Sequence, residues 1–267
     1  MTRGFYSATA AMMSDVERFE TVANNLANVN THGFKRHQTL HHDFQQGFVE
    51  RIQTHQVKLT PDKDGELMRD LVQDQPLDIG EMGTGTFVMS QWTHFEQGAL
   101  QETQNPLDLA LKGNGFFAVS LPNGELRYSR NGSFKMNADG LLVNNNGLAV
   151  MGQRGEIELD PDAKITITAT GDVIQNGKVV DQLDIINFEQ PELLLNQGDN
   201  LYAAIPEMQE TNSQAHVAQG FLELSNVDVA GEMIQMISAL RSYQISQKAL
   251  QTEDEMSGRL INDVGRV

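Results

Sequence analysis

The strongest constraint is a helical apolar pattern near the start of the chain that this segment cannot bury by itself. Between Phe5 and Lys35, apolar residues recur at alternating steps of three and four, which places them along one side of an α-helix. Asp15 interrupts the pattern, and the neighbouring Val16 can rotate inward to replace it. The members of this N-terminal seam are Phe5, Ala8, Met12, Phe19, Val22, Leu26 and Val29. An isolated helix of this length is marginal in water, so another helix has to cover it.

A second helical pattern lies near the other end of the sequence. This C-terminal seam consists of Val229, Met233, Met236, Leu240, Tyr243 and Leu250. Ile234, Ile237 and Ile245 are expected to widen it. Ser225 and Asp228 precede the repeat with the spacing of a capping box, which indicates a helix start. We therefore predict that the two terminal helices pair as a coiled coil, antiparallel or nearly parallel.

Between the helical segments the sequence changes character twice. Residues 34–85 lack helical periodicity and are polar, which predicts an extended connector with short strands. Residues 86–220 alternate in polarity between tight-turn pairs, which predicts an antiparallel β domain. The turn pairs are Asn123-Gly124, Asn131-Gly132, Asp139-Gly140, Asn146-Gly147 and Asn176-Gly177. The predicted fold class is α+β: an N-terminal axial helix at 1–33, a C-terminal one at 221–267 and an inserted β domain.

Charge and composition narrow the possible functions. The chain has 19 Lys and Arg against 36 Asp and Glu, a formal net charge of −17, and this field repels phosphates and anionic lipid heads. Because there is no cysteine, disulfides and thiolate metal sites are excluded. No run of 18 apolar residues could span a membrane, and the N-terminal residues lack the pattern of a cleaved signal peptide. We expect neither a nucleic-acid partner nor a membrane span.

Residues that could carry chemistry are present without an organising pattern. The connector contains His37, His41, His42 and His55. Only the first two have a helical ligand spacing, and solvated polar residues are a better interpretation than a metal site. Asp108 and Glu125 could in principle form a hydrolytic carboxylate pair, but nothing around them resembles a hydrolase. The sequence predicts no catalytic residue, no metal and no cofactor.

Three parts of the sequence resemble one known family. The first runs from Ala23 to Lys35 and contains ANNLAN and THGFK, and the third runs from Ser225 to Lys248 and begins SNVDV. The second consists of Gln97–Leu100, Asn105–Ala110, Gly113–Phe117 and Tyr128–Gly132. In this order they are similar to the amino-terminal, central and carboxy-terminal signatures of the bacterial flagellar rod and hook proteins. The central part resembles the rod branch.

The resemblance implies a structural, non-enzymatic subunit of the flagellar basal-body rod, of proximal or distal type, that polymerises helically through its terminal helices and transmits torque to the hook. It also implies export through the flagellar type III apparatus without a cleaved signal, to the periplasm or cell wall. Expected partners are further copies of the chain, other rod and hook proteins, the export apparatus and a surrounding ring bushing. The predicted subunit-packing residues are Phe5, Met12, Phe19, Val22, Asn24, Asn25, Leu26, Asn28, Gly33, Phe34, Asn226, Val229, Met233, Met236, Leu240, Tyr243 and Leu250.

Two other interpretations stay open at this level. A hook-type axial protein of the same export class usually carries an extra outer domain, for which 267 residues leave little room. An unrelated β-rich binding module or adhesin with a helical stalk would form a closed oligomer of few copies. A rod subunit should instead form filaments whose length depends on concentration.

Overall fold

A computed structural model of the chain has two long helices, α1 (Thr2–Ala27) and α2 (Val229–Val264), with strands between them. It describes residues 2–43, 47–51, 58–61, 67–70, 77–82, 86–206, 208–213 and 215–264. The chain divides into two compact units. The terminal unit comprises Met1–Glu17, Leu40–Ser90 and Leu240–Val267, and the central unit comprises Arg18–Thr39 and Gln91–Ala239. The predicted α+β class is confirmed.

Each helix has a defined boundary. After α1 the chain turns through Asn28, whose side-chain amide donates to the carbonyl oxygen of Asn24 at 2.9 Å, and the turn ends at Gly33 with a φ of +70°. At the start of α2 the carboxylate of Asp228 accepts hydrogen bonds from the amides of Ala230 and Gly231, both at 3.2 Å. Asp228 is therefore the N-cap, one residue before the helix, and the cap is not at Ser225 as the capping-box spacing suggested.

In the region predicted as a connector, residues 34–36 are not in a strand, and from His37 onward the described residues form strands. These strands are β1 (His37–Asp43), β2 (Gly47–Arg51), β3 (Lys58–Pro61), β4 (Leu67–Asp70), β5 (Leu77–Met82) and β6 (Thr86–Thr93). They pair in nested order, β1 with β6, β2 with β5 and β3 with β4. The rest of the connector, including His55, lies outside the described residues.

The remaining strands belong to the central unit, together with one short 3₁₀ turn at Pro191–Leu193. They are β7 (Leu100–Glu102), β8 (Leu109–Lys112), β9 (Phe116–Ser120), β10 (Leu126–Ser129), β11 (Lys135–Met136), β12 (Leu142–Val143), β13 (Ala149–Gly152), β14 (Gly155–Glu156), β15 (Ile165–Ile167), β16 (Asp172–Gln175), β17 (Lys178–Gln182), β18 (Ile185–Phe188), β19 (Leu195–Asn196), β20 (Tyr202–Ala203), β21 (Glu210–Asn212), β22 (His216–Gln219) and β23 (Phe221–Glu223).

Strand β9 organises the largest sheet. It pairs with β10, β13 and β18, and the path β11-β12-β13-β9-β10-β20-β19 runs through a ten-stranded sheet. A three-stranded sheet β15-β16-β17 and the pairs β8–β22 and β7–β23 complete the unit. All pairs with a described register are antiparallel, as the turn-rich sequence predicts.

Two apolar clusters lie on β9, and its alternating side chains divide between them. Phe117 and Val119 belong to the larger cluster, in which Phe117 meets Phe134 edge to face at 5.1 Å between ring centroids. Phe116 belongs to the smaller aromatic cluster with Tyr202 and Phe188. Because both faces of β9 are covered, Phe116–Val119 reads as a continuous apolar run in the sequence.

Not every predicted turn pair is a hairpin. Asn176 and Gly177 both have positive φ, 51° and 77°, and form the two-residue turn between β16 and β17. Asn131-Gly132 was predicted as a hairpin turn, and that prediction is wrong, because β10 and β11 do not pair with each other. Gly132 is needed for another reason: its carbonyl accepts from the amide of Leu109 at 3.0 Å, and a Cβ on Gly132 would lie 1.7 Å from the Leu109 oxygen.

This close approach makes a stability prediction. Gly132→Ala should lower the free energy of unfolding by about 3 kcal/mol, because two backbone segments have to separate. Gly147→Ala is the matched control, since Gly147 has a φ of +79° but open space around its Cα. It should cost about 1 kcal/mol. Urea unfolding followed by circular dichroism measures both, and equal effects would contradict the close-approach explanation.

Candidate functional site

The end of α1 and the start of α2 are tied to the β structure of the central unit by buried polar side chains. The amide of Asn25 bonds the backbone of His37 in both directions: its oxygen accepts from the His37 amide at 2.9 Å, and its nitrogen donates to the His37 carbonyl at 2.7 Å. The same nitrogen donates to the carboxylate of Glu232 in α2 at 3.2 Å. One buried amide therefore connects α1, β1 and α2.

Glu232 and Asn226 both bind Arg36, the residue that precedes His37. The Arg36 Nε donates to Glu232 Oε1 at 2.6 Å, and the Arg36 amide donates to Asn226 Oδ1 at 2.8 Å. The Asn226 side-chain amide donates to the carbonyl oxygens of His94 and Glu96, at 2.8 and 3.1 Å. Each contact joins segments more than a hundred residues apart in sequence, so this polar cluster ties the segment after α1 to the residues around the start of α2.

Glu223 is the buried anion at the centre of the cluster. Its Oε1 accepts from Lys35 Nζ at 2.5 Å and from the Gly98 amide at 2.9 Å, and its Oε2 lies 3.6 Å from Arg130 Nη1. Lys35 and Glu223 have almost no solvent-exposed area. Burial lowers the pKa of the Lys35 ammonium, and the Glu223 carboxylate acts in the opposite direction. We refer to Asn25, Lys35, Arg36, Arg130, Glu223, Asn226 and Glu232 as the polar junction.

Gly33 allows the segment after α1 to lie directly against the backbone of Glu223 and Arg130. Its amide donates to the Glu223 carbonyl at 2.8 Å. With its positive φ, a Cβ at this position would lie 2.5 Å from the Asn131 nitrogen and 2.6 Å from the Arg130 carbonyl carbon. Backbone atoms on that side cannot withdraw as a flexible side chain can. Glycine is therefore required for both conformation and space.

His37 is buried beside the junction in its neutral form. The Asn196 side chain accepts from the Gly198 amide through Oδ1 at 2.8 Å, which orients its Nδ2 towards His37 Nε2 at 2.9 Å. Nε2 is therefore an acceptor, and Nδ1 carries the proton that faces Thr93 Oγ1 at 3.0 Å. Burial lowers the pKa of this imidazole. Among the described residues no group of three or more His, Asp or Glu could hold a metal ion.

The predicted packing residues fall into three sets by exposure. Val22, Asn25, Gly33 and Phe34 are buried in the chain itself. Partly exposed are Met12, Phe19, Leu26, Asn28, Asn226, Met236, Tyr243 and Leu250. Exposed are Phe5, Asn24, Val229, Met233 and Leu240. Asn25, Gly33 and Asn226 come together at the polar junction, whereas the large apolar members of both seams do not form a buried cluster among the described residues.

Apart from Val22, the fully buried side chains of the two helices are small or polar, and many of the large apolar ones are exposed. On α1 the buried side includes Ser14, Thr21 and Asn25, and on α2 it includes Glu232 and Ala239. The exposed large apolar residues of the two helices are Phe5, Tyr6, Met13, Val16, Val229, Met233, Ile234, Ile237, Leu240, Ile245, Met256, Leu260 and Ile261. Neither helix is long and apolar enough to cross a membrane, within the described residues. These exposed faces are candidates for contact with other protein chains.

Sequence reasoning did not select the charged residues of the junction. Lys35 and Glu232 lie inside the stretches that carry the family resemblance, but they were not predicted as site residues, and Arg36, Arg130 and Glu223 were not selected either. The available signal was a charged residue inside an otherwise apolar strand pattern, as in Phe221-Leu222-Glu223. This pattern indicates that Glu223 is buried, but it does not identify Lys35, 188 residues earlier in the sequence, as its partner.

The chain thus has two terminal helices with exposed large apolar side chains and, between them in sequence, an antiparallel β unit. Three family models match this chain: "Flagella basal body rod protein" at residues 5–35, "Flagellar hook protein FlgE/F/G D1 domain" at 110–175 and "Flagellar basal body rod FlgEFG protein C-terminal" at 218–263.

Whole-chain relatives agree with these models. The flagellar basal-body rod protein FlgG of Borreliella burgdorferi is 34% identical over 97% of both chains, and that of Agrobacterium fabrum is 33% identical over 96% of this chain and 97% of its own. The flagellar hook-basal body complex protein FlhO of Bacillus subtilis is 29% identical over the full length of both. The chain belongs to the flagellar basal-body rod protein family, a family of structural proteins, and the resemblance seen in the sequence is confirmed.

The buried anion predicts a large effect of a small substitution. Glu223→Gln should lower the free energy of unfolding by about 3 kcal/mol or more, because it leaves Lys35 buried without its counter-charge. Glu125→Gln is the matched control, since Glu125 forms an exposed ion pair with Arg127 and should change stability little. Equilibrium unfolding in urea compares the two, and an unaffected Glu223→Gln variant would show that the carboxylate does not hold the junction.

His37 predicts a pH dependence with a definite sign. Because its pKa is lower in the folded chain than the ordinary value of 6.5, the unfolded chain binds the proton more readily. The contribution of neutral His37 is complete above about pH 6.5 and declines as the pH falls below that value towards the folded pKa. His37→Gln keeps a neutral polar group and should flatten the decline in thermal stability between about pH 6.5 and pH 5. An unchanged slope would exclude His37 as its cause.

Proposed function

We propose that the chain is a structural subunit of the flagellar basal-body rod that polymerises helically through α1 and α2. The observation that carries this proposal is the exposure of large apolar side chains along both terminal helices. Full burial of one such side chain is worth about 1.5–3 kcal/mol, so a neighbouring subunit that covers several of them gains substantial stability. The β unit has its own buried apolar core, and we expect it to fold without a partner.

The pairing of α1 with α2 as an antiparallel coiled coil belongs to the same proposal. Two contacts support it, one within each compact unit. In the central unit Asn25 bonds Glu232, and in the terminal unit Gly4 lies so close to Glu253 that a Cβ on Gly4 would be 2.4 Å from its Oε1. The two contacts are separated by twenty-one residues along each helix, in opposite directions, as an antiparallel pair requires.

The proposed division of labour follows the predicted segments. Residues 1–33 with 221–267 would form the inner tube, residues 86–220 the outer β domain, and residues 34–85 a connector that adjusts contacts between subunits. The predicted packing residues, from Phe5 to Leu250, would act at the helix contacts and at the junction that orients them. A heterologous contact repeated from copy to copy produces an open helical rod when its rotation does not close into a ring, and such a rod is suited to transmitting torque.

Partners and location complete the proposal. Other rod and hook proteins are the expected neighbours in addition to further copies of this chain, and this agrees with relatives named as rod and hook-basal body proteins. The flagellar export apparatus would deliver the chain to the basal body outside the cytoplasm, and a ring bushing would surround the assembled rod. Terminal helices whose apolar faces need neighbours suit a chain that completes its structure only on assembly.

A charge on the exposed seam tests the assembly. Leu240→Asp should abolish or strongly reduce polymerisation, since it places a carboxylate where a neighbour has to bury an apolar side chain. Leu240 is 43% exposed in the single chain, so the β domain should keep its stability. Asn145→Asp adds the same charge at an exposed β turn and should assemble normally. Sedimentation velocity over a range of concentrations measures assembly, and normal filaments from Leu240→Asp would contradict the proposal.

A further inference from the structure

The charged side chains of the polar junction do not balance. Lys35, Arg36 and Arg130 supply three positive charges, whereas Glu223 and Glu232 supply two negative ones. Arg36 is partly exposed and pairs with Glu232, so the difference falls on the buried group around Glu223. There Lys35 and Arg130 share a single carboxylate, and the side chains of all three residues are at most 2% exposed. Because a buried charge without a counter-charge is costly, this part of the protein favours the approach of one more anion.

Arg130 is the less completely paired of the two buried cations. Its Nη2 donates to the Gly113 carbonyl oxygen at 2.8 Å, but its Nη1 lies 3.6 Å from Glu223 Oε2, which is beyond hydrogen-bond distance. Nε and Nη1 of Arg130 form no hydrogen bond with any of the described residues. Burial lowers the pKa of Arg130, and the Glu223 carboxylate acts in the opposite direction. Two donor nitrogens of a desolvated cation are therefore available to an acceptor.

The side chain that carries these donors lines a cavity of about 320 Å³. The described residues of its lining all belong to the central unit and come from the end of β6, the segment that leads into β9, the end of β18 and the 3₁₀ turn that follows. The volume is in the range of sites for small organic ligands. The lining includes Trp92, Phe95, Glu96, Phe116, Arg130 and Glu192.

Aromatic rings form the apolar part of this cavity. The Cζ of Arg130 lies 5.3 Å from the centroid of the Phe116 ring, within the range of a cation–π contact. Phe95 meets Phe116 edge to face at 5.2 Å between ring centroids. Trp92, which is 42% exposed, adds a third aromatic side chain to the lining. A ligand can therefore pack an apolar body on aromatic rings while its polar group reaches Arg130.

Two carboxylates in the lining limit the charge of such a ligand. Glu96 and Glu192 are both exposed to solvent. Burial lowers the pKa of Lys35, and Glu96 acts only weakly in the opposite direction, so this exposed carboxylate does not replace the missing buried counter-charge. The pair repels multiply charged anions such as phosphate, whereas a neutral ligand would leave the charge of Arg130 uncompensated. One carboxylate on an apolar body satisfies both conditions.

We infer that this cavity binds a small monocarboxylate with an apolar or aromatic body, and that Arg130 donates hydrogen bonds to its carboxylate. Bonds between a guanidinium and a carboxylate are stronger than those between neutral groups. A free carboxylic acid and the last residue of a peptide both offer this chemistry. The inference goes beyond the proposed assembly and does not depend on it, because every group involved lies in the central unit of one chain.

Trp92 provides the probe for a direct test, because it is the only tryptophan in the sequence. The full-length chain is titrated with phenylacetate while its fluorescence is followed, and isothermal titration calorimetry measures the same binding without relying on the probe. Phenylacetamide is the matched ligand, since it has nearly the same shape and no charge, and sodium chloride controls for salt. We expect saturable binding of the acid and about tenfold or weaker binding of the amide, which lacks the ionic part of the contact with Arg130.

Substitutions test the charges of the cavity separately. Arg130→Gln should weaken the binding of phenylacetate by about tenfold or more. Because this change also removes a contact of the junction, a second variant leaves the junction intact: Glu192→Gln should strengthen binding about twofold, since it removes a negative charge from the lining. Glu156→Gln, at an exposed carboxylate of β14 outside the described lining, is the matched control and should leave the affinity unchanged.

The outcomes identify the source of the carboxylate or overturn the inference. If N-acetylphenylalanine binds at least as tightly as phenylacetate, the cavity suits the last residue of a peptide; if only phenylacetate binds, it suits a free acid. The inference is wrong if neither method detects binding at millimolar concentrations, if phenylacetamide binds equally well, or if an Arg130→Gln chain that is folded by circular dichroism binds phenylacetate normally. Ordered water would then be the acceptor for the Arg130 donors. None of these results bears on helical assembly, which sedimentation measures separately.

Discussion

The buried carboxylate of Glu223 is the contact on which the organisation of the central unit depends. It binds Lys35 from the segment after α1, the Gly98 amide from the middle of the chain, and lies beside Arg130. Glu223 itself ends β23, a few residues before α2 begins. Desolvating these charges is costly, and the arrangement is stable only when all partners are in place. The junction therefore favours one specific arrangement of three distant segments over looser alternatives.

This junction fixes the end of α1 and the start of α2 on the β structure of the central unit. The side chain of Asn25 forms two hydrogen bonds with the backbone of His37, as a neighbouring strand would. The carboxylate of Glu232 accepts hydrogen bonds from both Asn25 and Arg36. Hydrogen bonds of this kind are directional, whereas apolar packing tolerates small rotations. The buried polar side chains of the helices thus form their contacts within the chain. Many of their large apolar side chains remain exposed, and exposed apolar faces of this kind are candidates for contact with other protein chains.

The sequence predicted the elements better than their contacts. Both helices, the antiparallel β domain and the tight turn at Asn176-Gly177 follow from local periodicity and turn chemistry, and the structure contains them. The prediction for Asn131-Gly132 failed because the same dipeptide serves either a hairpin or a close approach of two strands, and only the Leu109 backbone distinguishes them. The cap of α2 moved from Ser225 to Asp228 because two overlapping candidates were available and only one has helix amides within reach.

By itself the sequence determined that two terminal helices flank a β domain and that the chain resembles flagellar rod proteins. It also showed that the chain has no cysteine and a strongly negative net charge. These properties depend on residue type and local spacing. The tertiary structure decided which side of each helix is buried and which charges pair, because both depend on groups up to 207 residues apart that sequence periodicity does not connect. The apolar seams were visible in the sequence, but only the packed chain showed that the buried side chains of the helices are mostly small or polar and that several seam residues stay exposed.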